Sequence, residues 1–423
     1  MNERSFDVVV AGHVCLDLIP RFENSGPATM GEIIVPGKLV NIRSAAISTG
    51  GAVSNTGLAL IKLGVKTMLM GKIGDDFFAE GVRARFREWG PDTDQAMTVV
   101  PGEDTSYSIV LAPPGIDRAF LHCPGANNTF SSRDINYDLV AKARLFHLGY
   151  PPLMRELFTG GGAELLTIYR RVKDLGVTTS IDMTLPDQNS ESGRVEWATL
   201  LEKLLPYVDI APLSAEEAMF MLNRPRFDEL KRCSGQGAPI CAYAAEEFEW
   251  IARKLLELGA AIAPVKCGHR GMLLCTAAAD RIKRIGAVAP QNTAEWADRA
   301  LWEEPFLVDE VASTVGAGDS AIAGFLAAML RGCGPEHALK TACCVGGQNV
   351  KVFDAVSGIH DWDQTQAMIA DWPKRRQAAG DSWLYDEAHR VWKHASDKAA
   401  FTAAARRVCP TVNPRGWRGF AGN

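Results

Sequence analysis

Residues 313–320 read Ser313-Thr314-Val315-Gly316-Ala317-Gly318-Asp319-Ser320, and a mostly apolar run fills residues 321–330. Gly316 and Gly318 allow the backbone to approach a ligand closely, and the apolar run is typical of a helix that starts directly after them. The N-terminus of a helix presents unpaired N–H groups and the positive end of the helix dipole. This stretch therefore predicts an anion-binding loop that suits a phosphate.

Asp319 falls in the first turn of the predicted helix. A carboxylate is favoured there for structural reasons alone, because it can cap the helix. A carboxylate beside a bound phosphate can also take a proton from a hydroxyl group. Taken alone, the stretch leaves both interpretations of Asp319 open.

The composition of the 423 residues is that of a soluble globular protein, with 47% hydrophobic and 22% charged residues. The net charge of −5 argues against a nucleic-acid surface, which needs clustered Lys and Arg. No apolar run approaches the roughly 20 residues of a membrane span, and the N-terminus does not resemble a signal peptide. Ten scattered cysteines favour a reducing compartment over a disulfide scaffold. We therefore expect a cytoplasmic protein with small-molecule partners.

Short β-branched runs alternate with longer helical patterns along the chain, which is typical of an α/β fold. Residues 17–49 lack a helical period and predict a small β lid, with an edge hairpin as the alternative. Residues 223–245 and 287–305 look like insertions into a domain that covers residues 1–360. Residues 361–423 are basic and contain tryptophans, and we expect them to form a solvated helical extension packed on that domain.

A second glycine-rich stretch, residues 50–64, starts with Gly50-Gly51 and continues into an amphipathic helix. Paired glycines before a helix often mark close packing only. Asn55, however, falls in the first turn of this helix and can present its amide to a ligand. Asp17 follows the first predicted strand, where ligands gather in α/β folds, although an Asp at this place can also cap a turn.

These stretches occur in an order that resembles the ribokinase-like, or PfkB, family of carbohydrate kinases. The resemblance runs from about Asp7 to Ile359, and Thr314 to Asp319 is similar to the second signature of the family. The further matching segments are residues 12–17, 50–64, 71–76, 125–127 and 268–271, together with Asp182 at the end of a predicted strand.

The resemblance implies a three-layer α/β/α fold with a central, mostly parallel sheet and a small β lid. It also implies transfer of the γ-phosphoryl group of ATP, with Mg²⁺, to a hydroxyl of a small carbohydrate. A nucleoside kinase of the same superfamily is an alternative, and so is a catalytically weak sugar-binding regulatory protein. The resemblance also leaves a homodimer open.

Individual residues take their expected roles from the resemblance. Asp319 matches the catalytic base, and Gly316, Ala317 and Gly318 match the anion hole. Positions that bind the sugar are matched by Asp17, Gly50, Gly51 and Asn55. The positions on the nucleotide side of the family's site are matched by Thr314, Gly268 and Gly271. The family's acid that helps to organise Mg²⁺ is matched by Glu216.

The chain departs from the family pattern at five positions. Ser313 stands where many members have an Asp, and Val315 where a hydroxyl residue is frequent. Both positions are linked to a monovalent-cation site, so we do not expect activation by potassium. Leu213 and Ser214 replace the usual Asn-Glu pair, and Cys343 replaces an Asn of the nucleotide pocket, which predicts an altered nucleotide preference.

Overall fold

The computed structural model describes residues 4–22, 29–113, 119–235, 237–376 and 380–397. The strands of this part of the chain are β1 Phe6–Gly12, β2 Cys15–Arg21, β3 Arg43–Gly50, β4 Thr67–Met70, β5 Lys72–Ile73, β6 Thr98–Val99, β7 Tyr107–Leu111, β8 Ala119–Cys123, β9 Ala143–Gly149, β10 Thr178–Asp182, β11 Ile262–Lys266, β12 Met272–Thr276, β13 Ala300–Glu303, β14 Trp383–Asp386 and β15 Val391–His394. Its α-helices are α1 Ala52–Lys62, α2 Phe77–Arg87, α3 Tyr137–Val140, α4 Arg155–Phe158, α5 Ala163–Asp174, α6 Trp197–Leu204, α7 Ala215–Leu222, α8 Arg224–Cys233, α9 Ala245–Glu257, α10 Ala279–Ile282, α11 Thr293–Trp296, α12 Ala317–Leu330, α13 Pro335–Asn349 and α14 Trp362–Asp371.

The main sheet has the strand order β4-β1-β9-β10, and all of these strands are parallel. Ile210 continues the sheet, because it forms parallel bridges to Ser180 of β10 and Ile262 of β11. Beyond β11 the strands β12, β13, β15 and β14 follow in antiparallel pairs. The α/β class predicted from the sequence is confirmed.

Helices cover both faces of this sheet, so β1 is buried on both sides. Val9 and Ala11 pack into the hydrophobic core that α5, α6, α7 and α9 help to form. Val8 and Val10 point to the opposite core, which contains residues of α1, α2, α12 and α13. This alternation follows from the two-residue period of a strand, and it gives the three layers of the fold.

A second sheet has the order β3-β2-β7-β8 and forms the lid. Its β2 and β3 lie in the segment predicted as the lid, but β7 and β8 also belong to it, so the structure differs from the expected boundary of residues 17–49. The sequence did not reveal this because β7 joins β2 through long-range parallel pairing. Residues 23–28 of the predicted segment lie outside the described residues.

The lid sheet has a polar and an apolar face. Asp17 of β2 pairs with Ser48 of β3 and with Ser108 of β7, which in turn pairs with His122 of β8. One neighbouring residue in each strand contributes to an apolar row on the other face, consisting of Leu18, Ile47, Ile109 and Leu121. Strand alternation therefore places four polar side chains on the face that carries Asp17.

Two segments that we expected to be insertions differ in how they fold. Residues 224–233 form helix α8, and Phe227 packs edge-on against Phe220 of α7 in the main core. The end of the segment 287–305 is strand β13, which lies within the main sheet. Four residues are too few to show a strand period in the sequence, so the sequence alone suggested irregular structure there.

The expected solvated extension contributes strands to the main sheet. β15 pairs with β13, and β14 pairs with β15. Trp383 of β14 is only 4% exposed and packs edge-on against Trp302 of β13 at 5.5 Å between ring centroids. Residues 361–376 and 380–397 of the expected extension thus belong to the body of the protein, whereas residues 377–379 and 398–423 lie outside the described part of the chain.

Candidate active site

Helix α12 starts at Ala317, and Gly316 is its N-cap residue with a φ of 72°. A Cβ atom at Gly316 would lie 2.5 Å from the Cβ of Ala355, so glycine is needed there for both conformation and space. No side chain caps the first turn of α12. The N–H of Ala317 donates to the carbonyl oxygen of Thr314 at 3.3 Å, whereas the N–H groups of Gly318 and Asp319 have no partner in the described part of the chain and can bind an anion at this end.

Asp319 lies in this first turn and is only 4% exposed. Its carboxylate accepts hydrogen bonds from Asn55 Nδ2 at 3.1 Å and from Thr56 Oγ1 at 3.1 Å, both on α1. The hydroxyl of Tyr150, just beyond β9, lies 2.7 Å from each carboxylate oxygen. The carboxylate therefore faces the start of α1 and the end of β9, and it does not cap its own helix.

The two glycine-rich stretches meet at this point. Gly51 is the N-cap residue of α1 with a φ of 86°, and a Cβ atom there would lie 2.4 Å from the carbonyl oxygen of His13. A Cβ atom at Gly50 would lie 2.4 Å from Asp17 Oδ2. Glycine at both positions lets β3, α1 and Asp17 approach closely. Asn55 is 7% exposed, and its Oδ1 has no partner in the described part of the chain.

Asp17 lies on the polar face of the lid, where Cys15 Sγ lies 3.3 Å from its Oδ1. Burial raises the pKa of Asp17 to about 6, although hydrogen bonds from Cys15 and Ser108 act in the opposite direction. A carboxyl group with this pKa is mostly ionised at neutral pH and remains sensitive to its surroundings. It can accept hydrogen bonds from the hydroxyl groups of a ligand beneath the lid.

His13 connects the main sheet to the lid, since it lies between β1 and β2. The residue is 2% exposed, and neither ring nitrogen has a partner among the described residues. Burial, with a smaller contribution from His122, lowers the pKa of His13 to about 3, so the ring is neutral. Its centroid lies 5.3 Å from the ring of His122 and 6.1 Å from that of Tyr150.

The sequence alone did not single out His13, His122 or Tyr150. His13 directly follows Gly12 in the segment 12–17 that matches the family, so a polar residue at the end of the first strand was an available signal. Tyr150 is followed by Pro151 and Pro152 directly after a strand, which also marks a strand end. No local signal identifies His122, because only strand pairing in the lid brings it to His13.

Asn127, from the segment 125–127, holds the connection between sheet and lid. Its side chain donates from Nδ2 to the carbonyl oxygen of Val14 at 2.9 Å and accepts from the N–H of Val14 at 3.4 Å. The residue is fully buried. Its role in this geometry is to fix the backbone between β1 and β2.

The predicted nucleotide-side turn joins β11 to β12. Gly268 has a φ of 56° and Gly271 a φ of 86°, and a Cβ atom at Gly271 would lie 2.1 Å from the carbonyl oxygen of Glu303. Thr314 is exposed on the loop before α12, and its carbonyl oxygen accepts from the N–H of Ala317. Cys343 is half-buried on α13, where its Sγ lies 3.9 Å from the carbonyl oxygen of Glu303.

A lysine that the sequence did not single out lies beside the anion loop. Lys266 Nζ is 2.7 Å from Asp182 Oδ1 and 3.9 Å from Glu217 Oε2. A Cβ atom at Gly318 would lie 3.5 Å from this Nζ. Burial acts to lower the pKa of Lys266, but Asp182 and Glu217 raise it above its usual value. The ammonium group therefore remains charged next to the start of α12.

The two neighbouring acids, Glu216 and Glu217, have different partners in the structure. Glu216 Oε1 accepts a hydrogen bond from the N–H of Ile240 at 3.1 Å. Glu217 is the acid near Lys266, and it also forms a capping box with Ser214 at the start of α7. The adjacent position of two glutamates in the sequence hid which of them faces the loop.

The donor chemistry at the loop fits Mg²⁺ that arrives with a nucleotide. Asp182 and Glu217 supply carboxylate oxygens, which Mg²⁺ prefers, and this ion is commonly bound by one or two carboxylates together with substrate phosphates. Within the described ranges, no group of three or more His, Cys, Asp or Glu side chains is arranged to hold a metal by itself.

The described helices also include none that is long and apolar enough to cross a membrane.

Comparison with known proteins supports one family for this chain. Residues 5–362 match the family model for pfkB family carbohydrate kinases. An uncharacterized sugar kinase of Archaeoglobus fulgidus is 25% identical over 302 residues, which are 71% of this chain and 98% of that protein. The probable fructokinase-3 of Arabidopsis thaliana is 25% identical over 185 residues, which are 43% of this chain and only 51% of that protein.

The solved structures show the same fold. The structure of Arabidopsis thaliana ribokinase complexed with ribose and ATP superposes with a TM-score of 0.63 at 18% identity. The superposition covers 86% of this chain and 98% of that one. At this level of identity the likeness establishes the ribokinase-like fold, which confirms the fold predicted from the sequence.

Proposed function

This chain belongs to the pfkB family of carbohydrate kinases, which are phosphotransferases with an alcohol group as acceptor, and we propose that it transfers the γ-phosphoryl group of ATP to a hydroxyl of a small carbohydrate. The observation that carries this proposal is the position of Asp319. Its carboxylate lies in the first turn of α12, beside the predicted anion hole, and is held by Asn55 on the acceptor side.

The acceptor binds beneath the polar face of the lid. Asp17 and the unpartnered Oδ1 of Asn55 accept hydrogen bonds from its hydroxyl groups, and Gly50 and Gly51 allow Asp17 and His13 to lie close to the start of α1. His13 adds two unpartnered ring nitrogens at the edge of this space. A buried polar atom without a partner is costly, so a ligand that pairs with these atoms gains affinity and specificity.

Transfer proceeds by attack of the acceptor oxygen on the γ-phosphorus. The new oxygen–phosphorus bond forms as the bond from the γ-phosphorus to the bridging oxygen breaks, ADP leaves, and the hydroxyl proton passes to Asp319. The N–H groups of Gly316, Ala317 and Gly318 stabilise the negative charge on the transferring group. Positioning and charge stabilisation provide most of the catalysis in such reactions.

Lys266 supplies a fixed positive charge on the nucleotide side of this path. Its position next to Gly318 places the ammonium group beside the anion hole. Mg²⁺, held by the phosphates with Asp182 and Glu217 in reach, neutralises further charge on the triphosphate. We assign nucleotide binding to Gly268, Gly271 and Thr314. For the acid that helps to organise Mg²⁺ we now prefer Glu217 to Glu216, because Glu216 is hydrogen-bonded to the N–H of Ile240.

We expect a second copy of this chain as a partner at the lid. The apolar face of the lid leaves Ile47 48% and Leu121 53% exposed. Sedimentation velocity of the wild type and of Leu121→Asp distinguishes a dimer that uses this face from a monomer. We also infer that the protein acts in the cytoplasm, where ATP and reduced thiols are abundant.

The test of the proposed function is a coupled assay of ADP formation with Mg-ATP and a panel of acceptors. The panel contains ribose, fructose, 2-keto-3-deoxygluconate, sorbitol and adenosine. We expect turnover with one or a few sugars. Turnover with adenosine alone identifies a nucleoside kinase, and sugar-induced thermal stabilisation without any ADP formation identifies a sugar-binding protein.

A further inference from the structure

Tyr150 occupies an unusual backbone position at the end of β9. Its φ of 68° and ψ of 43° lie in the left-handed region, which residues other than glycine adopt at a steric cost. The N–H of Tyr150 donates to the carbonyl oxygen of Asp182 at 3.2 Å, and Pro151 and Pro152 stiffen the chain that follows. The surrounding structure therefore holds this residue in a conformation that it would not adopt freely.

This conformation aims the phenol at Asp319. Tyr150 Oη lies 2.7 Å from both Oδ1 and Oδ2 of Asp319, so its single proton is shared between the two carboxylate oxygens. Burial and the charge of Asp319 raise the pKa of Tyr150 well above its ordinary value. The phenol therefore stays protonated and acts as a donor to the carboxylate.

Three donors thus fix the carboxylate from two directions. Asn55 and Thr56 bind one oxygen each from α1, and Tyr150 spans both oxygens from the β9 side. The Tyr150 hydroxyl adds a hydrogen bond from a side that α1 does not reach, and its ring lies on the acceptor side, 6.1 Å from that of His13.

We propose that Tyr150 is a positioning residue for phosphoryl transfer, whose hydroxyl holds the Asp319 carboxylate in the orientation that receives the proton of the acceptor. This inference rests on the proposed function, because it assigns the base role to Asp319. It concerns the orientation of the base and not the binding of either substrate. A group that acts in this way affects kcat and leaves the two KM values almost unchanged.

The test compares Tyr150→Phe with the matched control Tyr169→Phe. Tyr169 is also buried, and its hydroxyl donates to the carbonyl oxygen of Ser180 at 2.8 Å, away from Asp319. Both variants lose one buried hydroxyl and keep the ring. We expect Tyr150→Phe to lower kcat about tenfold, the effect of one hydrogen bond to a charged group. The KM values for acceptor and ATP should stay within about twofold, and Tyr169→Phe should keep the wild-type kcat.

A second variant keeps the inference testable if Tyr150→Phe is poorly folded. Tyr150→His restores a ring N–H donor, and we expect it to recover part of the kcat that Tyr150→Phe loses. An unchanged kcat in Tyr150→Phe, or a higher KM for the acceptor with an unchanged kcat, overturns the positioning role. Full activity of Asp319→Asn instead overturns the proposed function itself, so the two failures are distinguishable.

Discussion

Asn55 and Asp319 lie 264 positions apart in the chain, and Asn55 Nδ2 donates a 3.1 Å hydrogen bond to Asp319 Oδ2. This bond joins the first turn of α1 to the first turn of α12. The two glycine-rich stretches of the sequence thus form a single site. One side of this site faces the lid and the other faces the loop at Gly316–Gly318, so an acceptor and a phosphate can meet at the carboxylate.

Replacing Asp319 by Asn is expected to remove the base while preserving its shape. The kcat should fall by about 10²- to 10⁴-fold, because an amide does not take up the acceptor proton. The matched control is Asp361→Asn, since Asp361 is also a carboxylate at a helix start and accepts from the N–H of Gln364. Steady-state kinetics of both variants, with melting temperatures, provide the measurement. Equal activity of the two variants contradicts the base role.

Asp17 predicts a dependence of acceptor binding on pH. Its pKa of about 6 is higher than the ordinary value, so the folded protein protonates Asp17 as the pH falls through about 6. We expect the KM for the acceptor to rise below this pH in the wild type. In Asp17→Asn the KM should already be high at pH 8 and should vary little with pH. KM measured from pH 5 to pH 8 tests this expectation.

The raised pKa of Asp17 also gives a prediction for the stability of the protein. The unfolded chain ionises Asp17 at a lower pH than the folded one, so the stability that the protonated carboxyl contributes is lost as the pH rises from about 4 to about 6, and the loss is complete above that pH. Asp17→Asn should therefore gain stability relative to the wild type at pH 8 and not at pH 4.

Lys266→Met is expected to lower both stability and activity. Asp182 is only 2% exposed in its side chain and would lose its partner, which costs about 3–5 kcal/mol for a buried ion pair. The double variant Lys266→Met with Asp182→Leu removes the unpaired charge and should recover much of the stability. Its kcat should remain low, because it lacks both the positive charge beside Gly318 and the Asp182 carboxylate that we assign to the Mg²⁺ side. Recovery of kcat in the double variant contradicts a role for Lys266 in transfer.

Activity should be independent of potassium. Ser313 offers no carboxylate at the position linked to a monovalent cation, and its Oγ already accepts from the N–H of Val315 at 3.1 Å. We expect equal rates within about twofold in KCl, NaCl and choline chloride at one ionic strength. A tenfold rise in KCl alone contradicts this prediction. Ser313→Asp is the variant in which a response to potassium is expected.

The sequence alone revealed those parts of the site that are encoded by residues close together in the chain. The helix α12 starts where Gly316 and the apolar run predicted it, and Asn55 lies in the first turn of α1 as expected. Glycines with positive φ and helix starts are encoded within a few residues. For this reason the residues of the two glycine-rich stretches could be recognised from the sequence alone.

The residues that the sequence did not reveal depend on topology. Tyr150 reaches Asp319 because β9 lies next to β1 in the sheet, and Lys266 reaches Gly318 because β11 ends beside the loop. His122 meets His13 through the pairing of β7 with β8. Such neighbours are set by long-range pairing, which no short window of sequence contains. The choice between Glu216 and Glu217 likewise depends on the rotation of α7.

The pairing of β15 with β13 has a practical consequence for anyone who shortens this chain. The family match ends at residue 362, whereas Asp397 still forms an ion pair with the buried Arg299 at 3.1 Å. A protein truncated at residue 362 would expose the backbone of β13 as a bare edge together with the face of Trp302. Edges of this kind recruit strands from other molecules, so such a fragment should precipitate during expression. The boundary of homology and the boundary of the folding unit therefore differ in this protein.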